Sequence, residues 1–281
     1  MREVNCQPID LLHQGVQRVI GVYLLETDDG PALFDSGPAT CYARLSEQVD
    51  IAELRHLLLS HVHLDHAGAA GLLVRDNPHL QVHVSEIGLP HVVDPTRLIA
   101  SARRIYGDTL DTLFGEPVPV PAENVHVAGH RELGLVSFPT PGHASHHVSF
   151  LHEDSGWAFV GDVAGVRIPP SELVVAPTPP PDIDVAAWER SLDLVAGWSP
   201  ARLALTHWGE AEDPAEQLEA CRRALREEAA LAGEQDLDGF MATLHERIAA
   251  ESPELIETYE QAAPLDHLYL GLDRWHSKQA A

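Results

Sequence analysis

The segment His61-Val62-His63-Leu64-Asp65-His66 puts three imidazoles and a carboxylate into six residues, directly after the apolar run Leu57-Leu58-Leu59-Ser60. Neutral imidazole and carboxylate are the nitrogen and oxygen donors that hold zinc, iron or manganese. The segment therefore reads as half of a metal site, against the alternative of a His-rich surface turn in a chain with 18 histidines. Further donors stand at the ends of other apolar stretches. His143, His146 and His147 lie in Thr140–His147, Asp162 follows Trp157–Gly161, and His207 follows Leu203-Ala204-Leu205.

Positioning these residues requires strands that end at one edge. Val16–Glu26 and Pro31–Phe34 read as two strands around the turn Thr27-Asp28-Asp29-Gly30. A helix over Thr40–Val49 and a short apolar strand over His56–Ser60 follow, then a helix from Ala67 that stops at Asn77-Pro78, and a strand over Gln81–Ser85. Pro95–Tyr106 has the spacing of an amphipathic helix. Strands resume at Val125–Val127, Leu133–Pro139, Val148–His152 and Trp157–Val160. Ile168–Pro181 holds six prolines, which exclude a central strand or helix interior, so it is either a connector or a stiff wall beside Asp162.

Asp184–Val195 is a helix and Leu203–Leu205 a strand; everything from Pro214 onward is helical. The repeated strand-then-helix order on either side of about residue 170 predicts two similar halves, packed as an α/β sandwich of sheets between helices. Residues 210–281 form a helical appendage on the domain of residues 1–209.

Lys plus Arg total 18 against 43 Asp plus Glu, a formal net charge of −25, with Lys278 the only lysine. Such a surface repels polyanions, which argues against nucleic acid as a partner. Cys6, Cys41 and Cys221 are widely spaced and form no disulfide framework, as suits a reducing cytoplasm. No stretch reaches the roughly 18 apolar residues of a membrane span, and Met1–Gln7 lacks the apolar core of a signal peptide. A cytoplasmic protein with a small-molecule substrate, no nucleic-acid or membrane partner, and room for a homodimer is expected.

With these motifs in order, from H-x-H-x-D-H through Pro-Gly-His at His143, Gly-Asp at Asp162 and Thr-His at His207, the chain resembles the metallo-β-lactamase superfamily over roughly residues 16–209. The resemblance implies a four-layer αββα sandwich of two mixed sheets with a C-terminal helical appendage. It also implies two divalent ions, zinc first with iron and manganese as alternatives: His61, His63 and His143 on the first, Asp65, His66 and His207 on the second, and Asp162 bridging. Asp35 resembles the family's aspartate that supports the metal loop, its other reading being an ordinary turn residue. His146 and His147 are expected to pack around the ligands, Tyr106 to pack or to reach a substrate oxyanion, and His13, His83, His126, His130 and His245 to be structural.

The expected function is hydrolysis of a small carboxylic ester, lactone or thioester, in the manner of glyoxalase II and lactonase relatives. A hydroxide between the ions would attack the acyl carbonyl, and Asp65 would orient it and pass a proton to the leaving group. The alternatives are a mononuclear iron persulfide dioxygenase, for which the longer motifs are missing after Asp162, a small-molecule phosphodiesterase, and a non-catalytic metal-binding module.

Overall fold

A computed structural model describes residues 6–280. Residues 1–5, part of the stretch read for a signal peptide, lie outside the described residues. The first sheet comprises β1 (Ile9–Asp10), β2 (Gly21–Thr27), β3 (Gly30–Phe34), β4 (His56–Leu58), β5 (Gln81–Val84) and β6 (Val125–Val127), hydrogen-bonded in that order. The second comprises β7 (Arg131–Glu132), β8 (Leu135–Pro139), β9 (Val148–His152), β10 (Trp157–Phe159), β11 (Arg202–Leu205) and β12 (Gly209–Ala211), also in sequence order across the sheet. Helices α1 (Tyr42–Gln48), α2 (Leu64–Ala67), α3 (Ala70–Asp76), α4 (Leu89–Val93), α5 (Thr96–Tyr106) and α6 (Leu110–Phe114) accompany the first sheet. Helix α7 (Val185–Gly197) and the C-terminal α8 (Pro214–Glu234), α9 (Leu237–Glu251), α10 (Ile256–Ala262) and α11 (Leu265–Gln279) complete the chain. These are the two mixed sheets flanked by helices that the motifs implied.

Strands β3 to β6 are parallel, with Leu57 opposite Leu33 and Val82. A parallel strand is covered on both faces, which is why β4 reads as an unbroken apolar run. Leu57 packs outward with Leu33, Val82 and the helices, whereas Leu58 points between the sheets. There Phe34 meets Phe159 at 5.3 Å and Phe150 at 6.2 Å between ring centroids, and Tyr23 lies 6.0 Å from Phe159. This aromatic layer holds the two sheets face to face.

The division of the chain near residue 170 is corrected by the structure. The sheets change over at Ala128–His130, between β6 and β7. Local periodicity identifies strands but not the sheet each one joins, and the prolines of 168–181 suggested a boundary where none exists. That segment is instead pinned on both sides. Glu251 accepts hydrogen bonds from the Ser171 hydroxyl at 2.6 Å and from the Glu172 and Leu173 backbones at 2.7 and 2.8 Å. A Cβ on Gly271 of α11 would lie 1.8 Å from the Thr178 carbonyl oxygen, so only glycine allows this close approach. Val16–Ile20 precedes β2 rather than joining it, and the short β1, β12, α4 and α6 carry too few residues to show a period.

Helix α8 packs into the core behind β10 and β11, where Cys221 and Leu225 meet Val163, Trp188 and Leu203. Gln217 Nε2 donates to the Ala164 carbonyl at 2.8 Å, and Trp188 Nε1 donates to Val163 O at 2.7 Å, so the turn after Asp162 is held from two helices. No helix among the described residues is long and apolar enough to cross a membrane.

At the far end of the sandwich two buried imidazoles link the sheets. His56 Nδ1 lies 3.0 Å from His83 Nε2, and His83 Nδ1 donates to Glu132 of β7 at 3.2 Å. Burial lowers the His83 pKa to about 4, although Glu132 works the other way. An unfolded histidine titrates near 6.5, so between that pH and 4 the unfolded chain binds the extra proton. The stability this neutral ring contributes is present above about pH 6.5 and is lost as pH falls toward 4. His83→Gln should therefore lose less stability than the parent between pH 7 and pH 4.5, by about 1–3 kcal/mol in urea unfolding; parallel losses would contradict this.

Candidate metal centre

Strands β4, β8, β10 and β11 deliver their following loops to one edge. Ser60 to His63 follow β4, Asp65 and His66 sit in the single turn of α2 rather than in open loop, His143 follows β8, Asp162 follows β10 and His207 follows β11. The structure brings all seven residues together. Their donor atoms form three groups within 4.8 Å: His61, His63 and His143; Asp65, His66 and His207; and His61, His66 and Asp162.

In the first group, His61 Nε2 lies 2.9 Å from His63 Nδ1, and His143 Nε2 lies 3.2 and 3.0 Å from those two atoms. His143 Nδ1 donates to the Pro177 carbonyl at 2.7 Å, so its Nε2 carries a lone pair. His61 Nδ1 is 3.0 Å from Ser60 Oγ, whose own proton goes to Asp35, so His61 Nε2 is a lone pair too. Lone pairs converging at such distances repel unless a cation sits among them.

In the second group, His66 Nδ1 donates to Asp35 at 2.8 Å and His207 Nδ1 to the Val19 carbonyl at 2.5 Å, turning both Nε2 atoms inward. Each Nε2 lies 3.5 Å from Asp65 Oδ2. Asp162 stands between the groups, with one oxygen 3.2 Å from His66 Nε2 and the other 3.3 Å from His143 Nε2. His66 Nε2 and Asp162 Oδ1 are buried without a hydrogen-bond partner. Buried orphan donors and acceptors are costly, and a divalent cation satisfies both. The donor set, imidazole nitrogen and carboxylate oxygen, fits zinc, iron or manganese.

The electrostatics agree. Burial, then the neighbouring imidazoles, push His61 and His63 well below the usual histidine range. Burial likewise lowers His143, with Asp162 opposing. At His66 and His207 burial also opposes the charge, but Asp162, Asp65 and, for His66, Asp35 outweigh it and raise the pKa. Burial acts against ionisation of Asp65 and Asp162, yet their histidine neighbours hold both carboxyls well below the ordinary range. The centre is therefore built to hold positive charge.

Supporting residues fall into those the sequence flagged and those it hid. Asp35, read evenly between turn and support, is fully buried and accepts from the Ser60 backbone at 2.8 Å, Ser60 Oγ at 2.9 Å, His66 Nδ1 at 2.8 Å and Thr206 Oγ1 at 3.1 Å. His147 accepts from the Asp162 backbone at 3.3 Å and stacks on His61 at 5.1 Å, while His146 accepts from the Val62 backbone at 3.4 Å. Gly161 has φ of +51°, and a Cβ there would sit 2.7 Å from both His147 Nε2 and Ser60 Cβ. Ser60 and Thr206 were missed, though each directly precedes a candidate ligand; the carbonyls of Val19 and Pro177 leave no mark in the sequence at all. Tyr106 packs edge-on against Phe114 at 4.9 Å and His267 at 4.8 Å, with its side chain on the wall of the cavity above the centre.

The model of the metallo-beta-lactamase superfamily matches residues 17–207, and the chain belongs to that family. It is 29% identical over 203 residues to the metallo-beta-lactamase fold-containing protein ST1585 of Sulfurisphaera tokodaii, covering 67% of this chain and 72% of that one. The ST1585 crystal structure superposes with a TM-score of 0.66 over 79% of this chain and 86% of its own. A di-iron-bound structure of TTHA1623 is 26% identical, with a TM-score of 0.57 over 76% of this chain and 96% of its own. A hydroxyacylglutathione hydrolase of Legionella pneumophila is 27% identical over 128 residues, which span 46% of this chain and 39% of that enzyme.

Asp35 itself has φ of +55°, a conformation asparagine tolerates. Asp35→Asn should thus keep the backbone while removing the negative charge and replacing one of the two acceptor oxygens by an NH2 donor that cannot accept from Ser60, Thr206 or His66. Divalent-ion affinity, measured by competition with a chromophoric chelator, should fall about 10–100-fold; unchanged affinity would show that Asp35 is only a turn residue.

Proposed function

We propose that this chain is a metal-dependent hydrolase of a small carboxylic ester, lactone or thioester. The observation that carries the reading is the pair of donor groups joined by Asp162 on the floor of one cavity of about 470 Å³. His61, His63 and His143 would hold one ion, Asp65, His66 and His207 the other, and Asp162 both; zinc is expected, with iron and manganese as alternatives. When bound, such ions supply Lewis acidity and water activation at neutral pH.

The chain's own residues do the rest. Asp65 is the one carboxylate of the centre with appreciable exposure, its side chain 25% accessible and facing the cavity, whereas Asp162 is 4% accessible. Asp65 therefore receives a proton on the carboxylate oxygen not turned toward His66 and His207 and delivers it to the leaving oxygen or sulfur, while Asp162 stays a buried ligand. Asp35 and the Pro177 and Val19 carbonyls fix the ring orientations on which this depends.

Asp65→Asn, assayed with both ions retained, should lower kcat on the best ester, lactone or thioester by about 10²–10⁴-fold. Undiminished turnover with full metal content would remove Asp65 from the chemistry. The imidazole and carboxylate donors fit iron as well as zinc, which motivates a second reading, a mononuclear iron oxidoreductase; one iron per chain with persulfide-dependent oxygen uptake would select it.

A further inference from the structure

The cavity above the metal centre is apolar on its walls and poor in cations. Leu98, Ala102 and Ile105 of α5, Phe114 of α6, Ala263 at the end of α10 and Leu268 in the first turn of α11 line it. The C-terminal helices thus build part of the chamber. Among the described residues that line it, Arg97 is the only arginine or lysine, and it is exposed at the N-terminal turn of α5. Asp182 and Glu260 line the same cavity and offset that single charge. His13 and His267, also on the wall, have their pKa values lowered by burial, and so add no positive charge at neutral pH.

A buried anionic group must be paired by arginine or lysine or coordinate a metal. The ions of this centre would be taken up by the reacting group, which leaves any further anionic group to arginine or lysine. A glutathione thioester brings two carboxylates on its leaving group, and a nucleotide brings phosphates. Neither finds partners here, and a chain with net charge −25 repels both at long range. An alkyl chain, in contrast, gains about fourfold in affinity for each methylene it buries, about 0.8 kcal/mol. A cavity of about 470 Å³ falls in the ordinary range for small-molecule sites, roughly 300–1,000 Å³.

We infer that the substrate is an ester, lactone or thioester that is uncharged apart from its reacting group and carries an alkyl or aryl body, seated against α5, α6 and the C-terminal helices. This rests on the hydrolase reading for the reaction but not for the ligand class. Balanced, the water oxygen bonds to the acyl carbon, the C–O or C–S bond breaks, and the leaving group takes a proton, giving a carboxylic acid and an alcohol or thiol. No redox partner is required. The partial similarity to a hydroxyacylglutathione hydrolase accordingly does not extend to glutathione as leaving group.

The test has a kinetic and a binding arm, both on the metal-loaded full chain. N-acetylcysteamine thioesters with two-, four-, six- and eight-carbon acyl groups are compared with S-lactoylglutathione. The inference expects kcat/KM to rise at least tenfold from the shortest to the longest and the glutathione conjugate to be no better than the shortest. In calorimetry, octanamide should bind at least tenfold tighter than butanamide, and S-methylglutathione should not compete. Ile105→Arg should weaken octanamide at least tenfold at unchanged metal content. A flat length dependence in both arms, or preference for the glutathione compounds, overturns the inference. Length-dependent binding with no turnover of any ester, lactone or thioester instead overturns the hydrolase reading and leaves the ligand class standing.

Discussion

The structure depends on one buried carboxylate. Asp35 closes β3 and accepts four hydrogen bonds, from the loop after β4, from α2 and from the loop after β11. Those loops belong to two different sheets, and the backbone bonds that join them, Gly21 to the Thr206 carbonyl and Val148 to the Ser60 carbonyl, both at 2.8 Å, do not orient the Ser60, Thr206 and His66 side chains. A charged acceptor satisfied by four short bonds does, and without it Ser60, Thr206 and His66 would be left as buried unpaired groups. The Ser36 backbone and hydroxyl add bonds of 2.7 and 2.9 Å to the His66 carbonyl, so the strand end grips α2 by main chain as well.

From that frame follows the charge arrangement. Three carboxylates, Asp35, Asp65 and Asp162, surround His66, whose inward nitrogen has no partner of its own. The imidazoles of the other group are pushed toward neutrality by burial and by each other. One side of the centre therefore offers lone pairs and the other negative potential, a combination that favours divalent cations over protons. The apolar chamber above strengthens these interactions by keeping the local dielectric low.

Much of this was legible because the candidate ligands lie in short, chemically distinctive motifs at the ends of apolar strands. His61 to His66, His143, Asp162 and His207 need only their own type and neighbours to be recognised. The supports were less visible for definite reasons. Val19 and Pro177 act through carbonyls common to every residue, and Asp35 is indistinguishable from a turn aspartate until its four donors arrive from distant segments. Sheet membership was misjudged at residue 170 because strand periodicity carries no information on pairing partners. The proline-rich stretch proved to be the stiff wall, since Glu251 and α11 hold one side of it and the Pro177 carbonyl holds His143 on the other.

The central claim, that Asp35 frames a two-ion centre, is tested most directly by anomalous diffraction from crystals of the metal-loaded chain. The account predicts two ions, one among His61, His63 and His143 and the other among Asp65, His66 and His207, with Asp162 touching both and Asp35 behind His66 without touching either. A single fully occupied position at saturating metal, or density with Asp35 as a direct ligand, would contradict it.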